Sequence, residues 1–244
     1  MDNIFIISGH QPNFLPYPGF FKKILMSDAF VYITKVQFNK KSWQNRNRII
    51  NQNRIDWLTV PVLTKNRYEQ KIKDVRINND FNWQRKHFRS IYMNYHNCEF
   101  FSQIEELLDI VYNKKRWNFL VDLDIFITNY LIDLLGIKVP IFYDFDYEFD
   151  GTKTDLLISI CNNFGAKAYL SNTGSSAYVD LSIFQKNDIM HFYMSYNSPI
   201  YEQNSQVFFE NLSILDMIAN CGIEKTVFYL NLEKFYYYDV KNYI

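Results

Sequence analysis

The residues best suited to chemistry lie in one short stretch near the start of the chain, GHQPNFLPYPGFFKKI at positions 9–24. His10 can exchange a proton near neutral pH, and Gln11 and Asn13 carry both hydrogen-bond donors and acceptors. Three prolines in the same stretch restrict the backbone that carries these side chains. The pattern predicts a stiff loop that holds His10, Gln11 and Asn13 against a ligand as candidate catalytic residues. A rigid turn whose polar groups bond only to the neighbouring backbone is the alternative interpretation.

A second stretch, QFNKKSWQNRNRI at positions 37–49, mixes basic, amide and aromatic residues. Guanidinium groups bind phosphate or carboxylate, and a Trp ring can stack on a base or cover a sugar. The mixture therefore predicts contacts to an anionic ligand that carries a ring, with Trp43, Asn45, Arg46 and Arg48 as substrate-binding candidates. An ordinary solvated basic loop would have the same composition.

Three later segments add further polar candidates. GTKTD at 151–155 stands at a predicted helix start, where unpaired backbone N–H groups favour anions. SNTGSSAYVD at 171–180 is rich in hydroxyl groups after a predicted strand, although a capped loop has the same pattern. In the segment 198–222, Ser213 and Asp216 predict the capping box of a helix. The substrate-binding candidates from these segments are Lys153, Ser171, Ser175, Tyr178 and Gln203.

Neither a metal site nor a covalent nucleophile is predicted. The histidines, at positions 10, 87, 96 and 191, lack a ligand spacing such as HExxH, and no Ser, His, Asp order of a triad is recognisable. Cys98, Cys161 and Cys221 are odd in number and have no paired metal-binding spacing, which argues against a disulfide framework or a zinc ribbon. This cysteine usage predicts a reducing compartment, the cytoplasm.

Length and charge exclude several classes of protein. The chain of 244 residues can bury a substantial core, and its 26 basic residues balance 26 acidic ones. This balance argues against a binder of duplex nucleic acid, which needs a broad basic surface. The N-terminal MDNIFIISG carries an acid where a signal peptide would be basic. The most apolar later stretch contains Asp122, Asp124 and Asp133, so no membrane span is predicted.

Apolar runs alternate with helical periodicity along the chain, which is typical of an α/β fold. Strands are predicted at 4–8, 29–38, 57–62, 72–77, 139–145, 166–171 and 189–196, and helices at 20–27, 152–165 and 178–187. Residues 83–136 show three helical segments, and Lys86, His87 and Arg89 are expected on a solvated helical face. The prediction is one domain, 1–244, with a mostly parallel sheet, flanking helices, an antiparallel or edge-strand addition, and a central helical insertion at about 81–136.

Several of these segments together resemble a known family. In chain order they are GHQPNFLPYPGFFKKI, SWQNRNRI with LTVPV, KTDLLISICNNFGAKAYLS, SSAYVD, and PIYEQ followed by FFENLSILDMIANCG. The chain resembles the WbqC-like family over this range, from about position 7 to position 222. The resemblance implies a component of bacterial surface-polysaccharide gene clusters, particularly those of the O-antigen of lipopolysaccharide. In such clusters nucleotide-linked amino sugars are acylated, formylated or aminoacylated.

The resemblance, joined to the His loop and the basic stretch, predicts a transferase that acts on a nucleotide-activated amino sugar. In this hypothesis His10 accepts the proton of the attacking amine, and Asn13 and Gln11 orient the substrate or stabilise the oxyanion. Arg46 and Arg48 would hold the diphosphate. An acyl donor such as acyl-CoA or formyl-folate is expected, and a metal is not.

Two other functions stay open at this stage. A strand, a His-containing loop and a helix also begin the nucleotidyltransferase and ligase folds, although their HxGH signature is absent here. An ATP-dependent ligase is therefore one alternative. The other is a non-catalytic accessory protein that binds a sugar nucleotide and uses part of its aromatic content as an interface. The expected partners are a nucleotide-linked amino sugar and either a second copy of the chain or a biosynthetic partner protein.

Overall fold

The strands of the protein form one large sheet and one separate hairpin. The computed structural model describes residues 4–232 and 236–237. The strands of these residues are β1 (Ile6–His10), β2 (Ala29–Tyr32), β3 (Arg46–Asn51), β4 (Arg54–Thr59), β5 (Ile141–Tyr143), β6 (Ala168–Asn172), β7 (Met190–Met194) and β8 (Tyr236–Tyr237). The large sheet has the order β5-β2-β1-β6-β7-β8, and the hairpin pairs β3 with β4.

The order of the parallel strands places a crossover point at the centre of the sheet. β1 pairs in parallel with β2 and with β6, β2 pairs with β5, and β6 pairs with β7. Only the short β8 runs antiparallel within the large sheet as described. The chain thus builds outward from β1 to β5 and then returns to the other side of β1 to place β6. In open α/β sheets, ligands bind at such a switch point, outside the carboxyl ends of the strands.

Helices cover both faces of the sheet, as a parallel sheet requires. They are α1 (Pro18–Leu25), α2 (Trp83–Tyr95), α3 (Ser102–Asp109), α4 (Leu120–Leu134), α5 (Thr154–Phe164), α6 (Leu181–Lys186) and α7 (Ile214–Asn231). Apolar side chains of α1, α2, α3, α4 and α7 share one core with Phe30 and Tyr32 of β2. Side chains of α5 and α6 pack on the opposite face, against Val31 and Tyr169. The predicted α/β class with a mostly parallel sheet and flanking helices is confirmed.

The predicted antiparallel addition is present, but its boundaries differ from the prediction. Only the end of the basic stretch 37–49 is in a strand, since β3 begins at Arg46. β3 pairs with β4 from Arg46↔Thr59 to Asn51↔Arg54. The strand predicted at 72–77 is wrong, because Ile72–Asp74 form a 3₁₀ turn. The buried side chains Ile72 and Val75 are three residues apart, which matches the three residues per turn of a 3₁₀ helix and not the alternation of a strand.

The central helical segment is confirmed, with three helices at 83–95, 102–109 and 120–134. Gly136 (φ +66°) and Gly165 (φ +65°) follow the ends of α4 and α5 and adopt the left-handed conformation that commonly ends a helix. His87 is not on a solvated face, because its ring is buried and its Nε2 lies 3.1 Å from the carbonyl oxygen of Thr59. The assignment of 1–244 to a single domain stays a prediction.

Helix α7 begins at Ser213, whose hydroxyl accepts a hydrogen bond from the Leu215 N–H. Asp216 lies in the first turn, but its carboxylate does not complete a capping box. It accepts hydrogen bonds from Tyr201 (2.6 Å) and Gln203 (3.0 Å) inside the core. Across residues 4–232 and 236–237, no helix combines the length and apolar character needed to cross a membrane.

Candidate functional site

A cleft of about 1330 Å³ opens at the carboxyl ends of the parallel strands. Gly9 and His10 line it from β1, Ser171 and Asn172 from β6, and Met194 from β7. The cleft is larger than the roughly 300–1,000 Å³ of a typical small-molecule pocket, so it has room for a ligand of two parts or for two substrates. Its position is that of ligand sites in doubly wound folds.

The hydrogen bond of His10 makes its Nε2 the ring nitrogen that can accept a proton. Its Nδ1 lies 2.7 Å from the carbonyl oxygen of Gln11, and a carbonyl can only accept, so Nδ1 carries the proton. The edge of the Phe20 ring packs against the imidazole, with centroids 5.1 Å apart. Burial lowers the pKa of His10 to about 4, and the charge of Lys23 adds to this lowering. At neutral pH the ring is therefore uncharged, and Nε2 is left to accept a proton.

The hairpin holds the His loop in place. Asn47 of β3 donates to the carbonyl oxygens of both Phe14 (3.1 Å) and Leu15 (2.6 Å). Leu15 needs such support, because its φ of +47° lies in the left-handed region that residues other than glycine seldom adopt. Gln44 donates to Oε1 of Gln11 at 2.5 Å, so the Gln11 oxygen is engaged by the basic stretch. The two stretches singled out from the sequence are thus one structural unit.

Two of the four substrate-binding candidates from the basic stretch 37–49 line the cleft, Trp43 and Arg48. Trp43 is 45% exposed and lines its rim. The Arg48 guanidinium lies over the Trp43 ring at 5.3 Å and donates to the carbonyl oxygen of Asn211 at 2.9 Å. Together they present an aromatic face beside a positive charge, which is suited to a base or sugar next to a phosphate.

Three predicted contacts lie away from the residues that line the cleft. Asn45 is buried and donates to the carbonyl oxygen of Val60. The Arg46 guanidinium lies over the Trp57 ring, with its Cζ 4.2 Å from the ring centroid. Gln203 is buried in the network of Asp216 described above. Each of these side chains contacts other residues of the protein and does not line the cleft, so their placement does not support a role in substrate binding.

The loop after β6 contributes hydroxyl groups to the opposite wall. Ser171, Ser175 and Tyr178 all line the cleft, as expected for a strand-end loop. The Ser171 hydroxyl lies 2.9 Å from Nε2 of His191, and Ser175 donates to the carbonyl oxygen of Asn172 at 2.8 Å. Tyr178 is 54% exposed, which leaves its ring accessible to a ligand.

The start of α5 faces the same cleft. Lys153 lines it and adopts φ 52° and ψ −122°, a strained conformation for a residue with a side chain. The N-cap position of α5 is Lys153, and no side chain caps the start of this helix. The Thr154 hydroxyl instead accepts from the backbone N–H of Asp180.

The lining of the cleft is strongly basic although the whole chain has no net charge. Among the described residues one carboxylate lines the cleft, that of Asp144, which already accepts from the Thr34 N–H and hydroxyl, both at 2.6 Å, and from the Lys35 N–H at 2.7 Å. The basic side chains that line the cleft are Lys23, Lys35, Arg48, Lys71 and Lys153. Sequence reasoning missed Lys23, Lys35, Lys71 and Asp144. For Lys23 a signal existed, since FFKKI places two lysines in an apolar helix directly after the His loop.

No group of three or more His, Cys, Asp or Glu side chains is placed to hold a metal ion in the part of the chain that the structure describes. Cys98, Cys161 and Cys221 are free thiols. Burial raises the pKa of Cys161 to about 12, so this thiol is a poor nucleophile at neutral pH.

Comparison with known proteins gives the relationship of the chain. The profile of the WbqC-like protein family matches residues 11–228. A protein of Mycobacterium tuberculosis (strain ATCC 25618 / H37Rv), whose name, uncharacterized protein Rv1507c, states no activity, is 32% identical over 215 residues. The match covers 88% of this chain and 93% of the relative. No solved structure matches the chain at a significant level. The family match takes in the loop after β1 from residue 11 onward, the hairpin and the loop after β6, and the chain belongs to the WbqC-like protein family.

Proposed function

We propose that the protein is a cytoplasmic transferase that acts on a nucleotide-activated amino sugar in the biosynthesis of a bacterial surface polysaccharide such as the O-antigen of lipopolysaccharide. The group transferred to the sugar amine is acyl, formyl or aminoacyl, from a donor such as acyl-CoA or formyl-folate. The observation that carries the proposal is the charge of the cleft, where five basic side chains face one carboxylate that is already bound by backbone.

This charge distribution favours a ligand with more than one negative charge. A nucleotide diphosphate supplies such charges, and its base and sugar would fit beside Trp43 and Arg48 at the rim. The volume of about 1330 Å³ leaves space for a second substrate next to it. A transferase needs both at once, because catalysis depends on holding the two reacting groups in contact.

In the proposed reaction the sugar amine attacks the carbonyl carbon of the donor, and a C–N bond forms as the bond to the donor's leaving group breaks. The proton of the amine passes to Nε2 of His10 and from there to the leaving group. The Gln11 oxygen accepts from Gln44, so its amide nitrogen is the group that donates to the oxyanion. Asn13 donates through Nδ2 to the Pro12 carbonyl, and its side-chain oxygen accepts from the amine. An anion bound beside Lys23 would offset the charge that lowers the pKa of His10 and make it a stronger base.

The test begins with a thermal-shift panel of nucleotides, nucleotide-linked amino sugars, acyl-CoA, formyl-folate and ATP, because a ligand that binds only the folded state raises the melting temperature. Hits are then assayed for donor consumption with His10→Asn and His10→Ala. Asn can keep the bond to the Gln11 carbonyl while it removes Nε2, so folding is retained and turnover should fall by about 100-fold or more. His96→Ala is the control, since His96 is exposed and does not line the cleft. Unchanged turnover in His10→Asn would remove His10 from the mechanism.

A second candidate, an ATP-dependent ligase or nucleotidyltransferase, is favoured by one observation. The His loop leaves β1 at the switch point between β1 and β6, where doubly wound folds bind nucleotide phosphates. This reading predicts stabilisation by ATP and release of pyrophosphate or ADP during turnover, whereas the acyltransferase consumes its donor without ATP. Stabilisation by a sugar nucleotide without turnover under either condition would point to the accessory, non-catalytic role.

A further inference from the structure

The two central strands separate before they end. β1 and β6 are paired only as far as Ser8↔Leu170. β1 nevertheless stays paired with β2 up to His10, and β6 stays paired with β7 up to Asn172. The last two residues of each central strand therefore face each other across a crevice, and this crevice is the floor of the large cleft.

A lysine side chain enters this crevice from α1. Lys23 is 3% exposed and lines the cleft, and its ammonium donates to the carbonyl oxygen of Gly9 at 2.8 Å. The Tyr169 hydroxyl lies 3.4 Å from the same oxygen on the side of β6. The Gly9 carbonyl thus has two donors around it, and the ammonium keeps two of its three N–H groups for other acceptors.

The charge of Lys23 has no counterion among the described residues. No carboxylate lies within ion-pair distance of its ammonium in that part of the chain, where the ion pair found is Lys114 with Asp109, on the surface. Burial lowers the pKa of Lys23 to about 7. The pKa values of His10 and His191 are lowered mainly by their own burial and further by the charge of Lys23. An unpaired buried cation is costly to fold, and a ligand that carries a negative charge would repay this cost.

We propose that the crevice between the ends of β1 and β6 is an anion subsite in which the Lys23 ammonium binds a phosphate group of the nucleotide-linked substrate. Lysine is suited to this as a compact point charge at the base of the cleft. Arg48 at the rim, one of the two arginines that the sequence analysis assigned to the diphosphate, is partly bound to backbone carbonyls instead. The inference rests on the proposed function for the nature of the substrate, but its test does not need turnover.

The experiment measures binding of pyrophosphate and of UDP by calorimetry at pH 7 to the whole chain and to two matched variants. Lys23→Met removes the ammonium from the crevice. Lys22→Met is the control, because Lys22 is its neighbour on α1, is also buried, does not line the cleft, and donates to the Leu232 carbonyl. Lys23→Met should weaken binding by about tenfold to a hundredfold, as expected for a charge-assisted hydrogen bond, while Lys22→Met stays within about twofold.

A second measurement keeps the proposal testable if Lys23→Met folds poorly. Sulfate has no titratable proton near neutral pH, so any proton taken up from the buffer when it binds is gained by the protein. Because the pKa of Lys23 is about 7, sulfate binding to the unaltered protein at pH 8 should take up a substantial fraction of one proton. The other titratable groups facing Lys23 do not change charge at this pH, since the pKa values of His10 and His191 are about 4 and that of Tyr169 is raised well above its ordinary value.

Each outcome decides the proposal. Failure of the unaltered protein to bind pyrophosphate, equal binding by Lys23→Met, equal loss in Lys22→Met, or sulfate binding without proton uptake would each overturn it. Lys23-dependent binding of pyrophosphate without turnover of any amino-sugar nucleotide would leave the subsite standing and refute the proposed transferase. Turnover and binding that do not depend on Lys23 would do the reverse.

Discussion

Replacing Lys23 by Met should make the protein more stable. Met keeps the apolar stem of the side chain in contact with its surroundings and removes the buried ammonium and its one hydrogen bond to Gly9. Residues that serve a ligand are often unfavourable for folding, because they are selected for the bound state and not for the empty one. The gain in stability is therefore a consequence of the assigned role of Lys23.

The pKa of Lys23 sets the size of the expected gain. Its decrease from the ordinary value of 10.5 to about 7 corresponds to about 5 kcal/mol against folding, at about 1.36 kcal/mol for each pKa unit. At pH 7 half of the folded molecules have released the proton, which leaves about 4 kcal/mol. Loss of the hydrogen bond to Gly9 costs about 1 kcal/mol, so Lys23→Met should gain about 3 kcal/mol. For a chain of this length the melting temperature would rise by roughly 6–12 °C.

The pH dependence of the unfolding free energy tests separately whether Lys23→Met stabilises the protein. Between pH 7 and 10.5 the unfolded chain keeps the Lys23 proton that the folded state releases, so the stability of the unaltered protein rises with pH over this window. The penalty is complete below pH 7, and the advantage of Lys23→Met should shrink as pH approaches 10. Urea unfolding followed by tryptophan fluorescence at several pH values measures it. A variant less stable than the unaltered protein at pH 7, or an advantage that does not change with pH, would refute the reasoning.

Two further substitutions test other parts of the structure. Asp124 is fully buried, neither carboxylate oxygen has a hydrogen-bond partner, and burial raises its pKa well above the ordinary value. The unfolded chain loses this proton above about pH 4, whereas the folded state keeps it to higher pH. Asp124→Asn should therefore stabilise the protein at pH 8 and change its stability little at pH 4, as measured by denaturant unfolding; an equal effect at both pH values would contradict this. Asn47→Ala leaves the buried carbonyls of Phe14 and Leu15 without their donor, so it should cost about 2–3 kcal/mol and weaken ligand binding in the cleft. Thermal unfolding and calorimetry measure both, and full binding in a destabilised variant would show that the hairpin does not position the His loop.

The elements that could be read from the sequence are those whose pattern depends on near neighbours. The apolar runs of β1, β6 and β7 and the helical periodicity of α2 and α4 have fixed local spacings, and glycines mark the ends of α4 and α5. The segment 72–77 was misread, because its alternation of apolar and charged residues resembles a strand at short range. Only contacts from distant segments, such as the bridge of Val62 with Ile77, decide which of its side chains are buried.

The sequence by itself determined the α/β class and the family, because these depend on residue types and on local spacings in several separate stretches of the chain. It also predicted a stiff loop that carries His10, Gln11 and Asn13. Tertiary structure alone decided which charges meet in the cleft. Lys23 looks like any lysine of an amphipathic helix until β1 and β6 separate and expose the crevice that receives its ammonium. Arg46 looks equivalent to Arg48 until the hairpin places it over Trp57, away from the cleft. The burial of a side chain and the charges around it depend on the residues that surround it in the folded protein, and those residues come from segments far apart in the sequence.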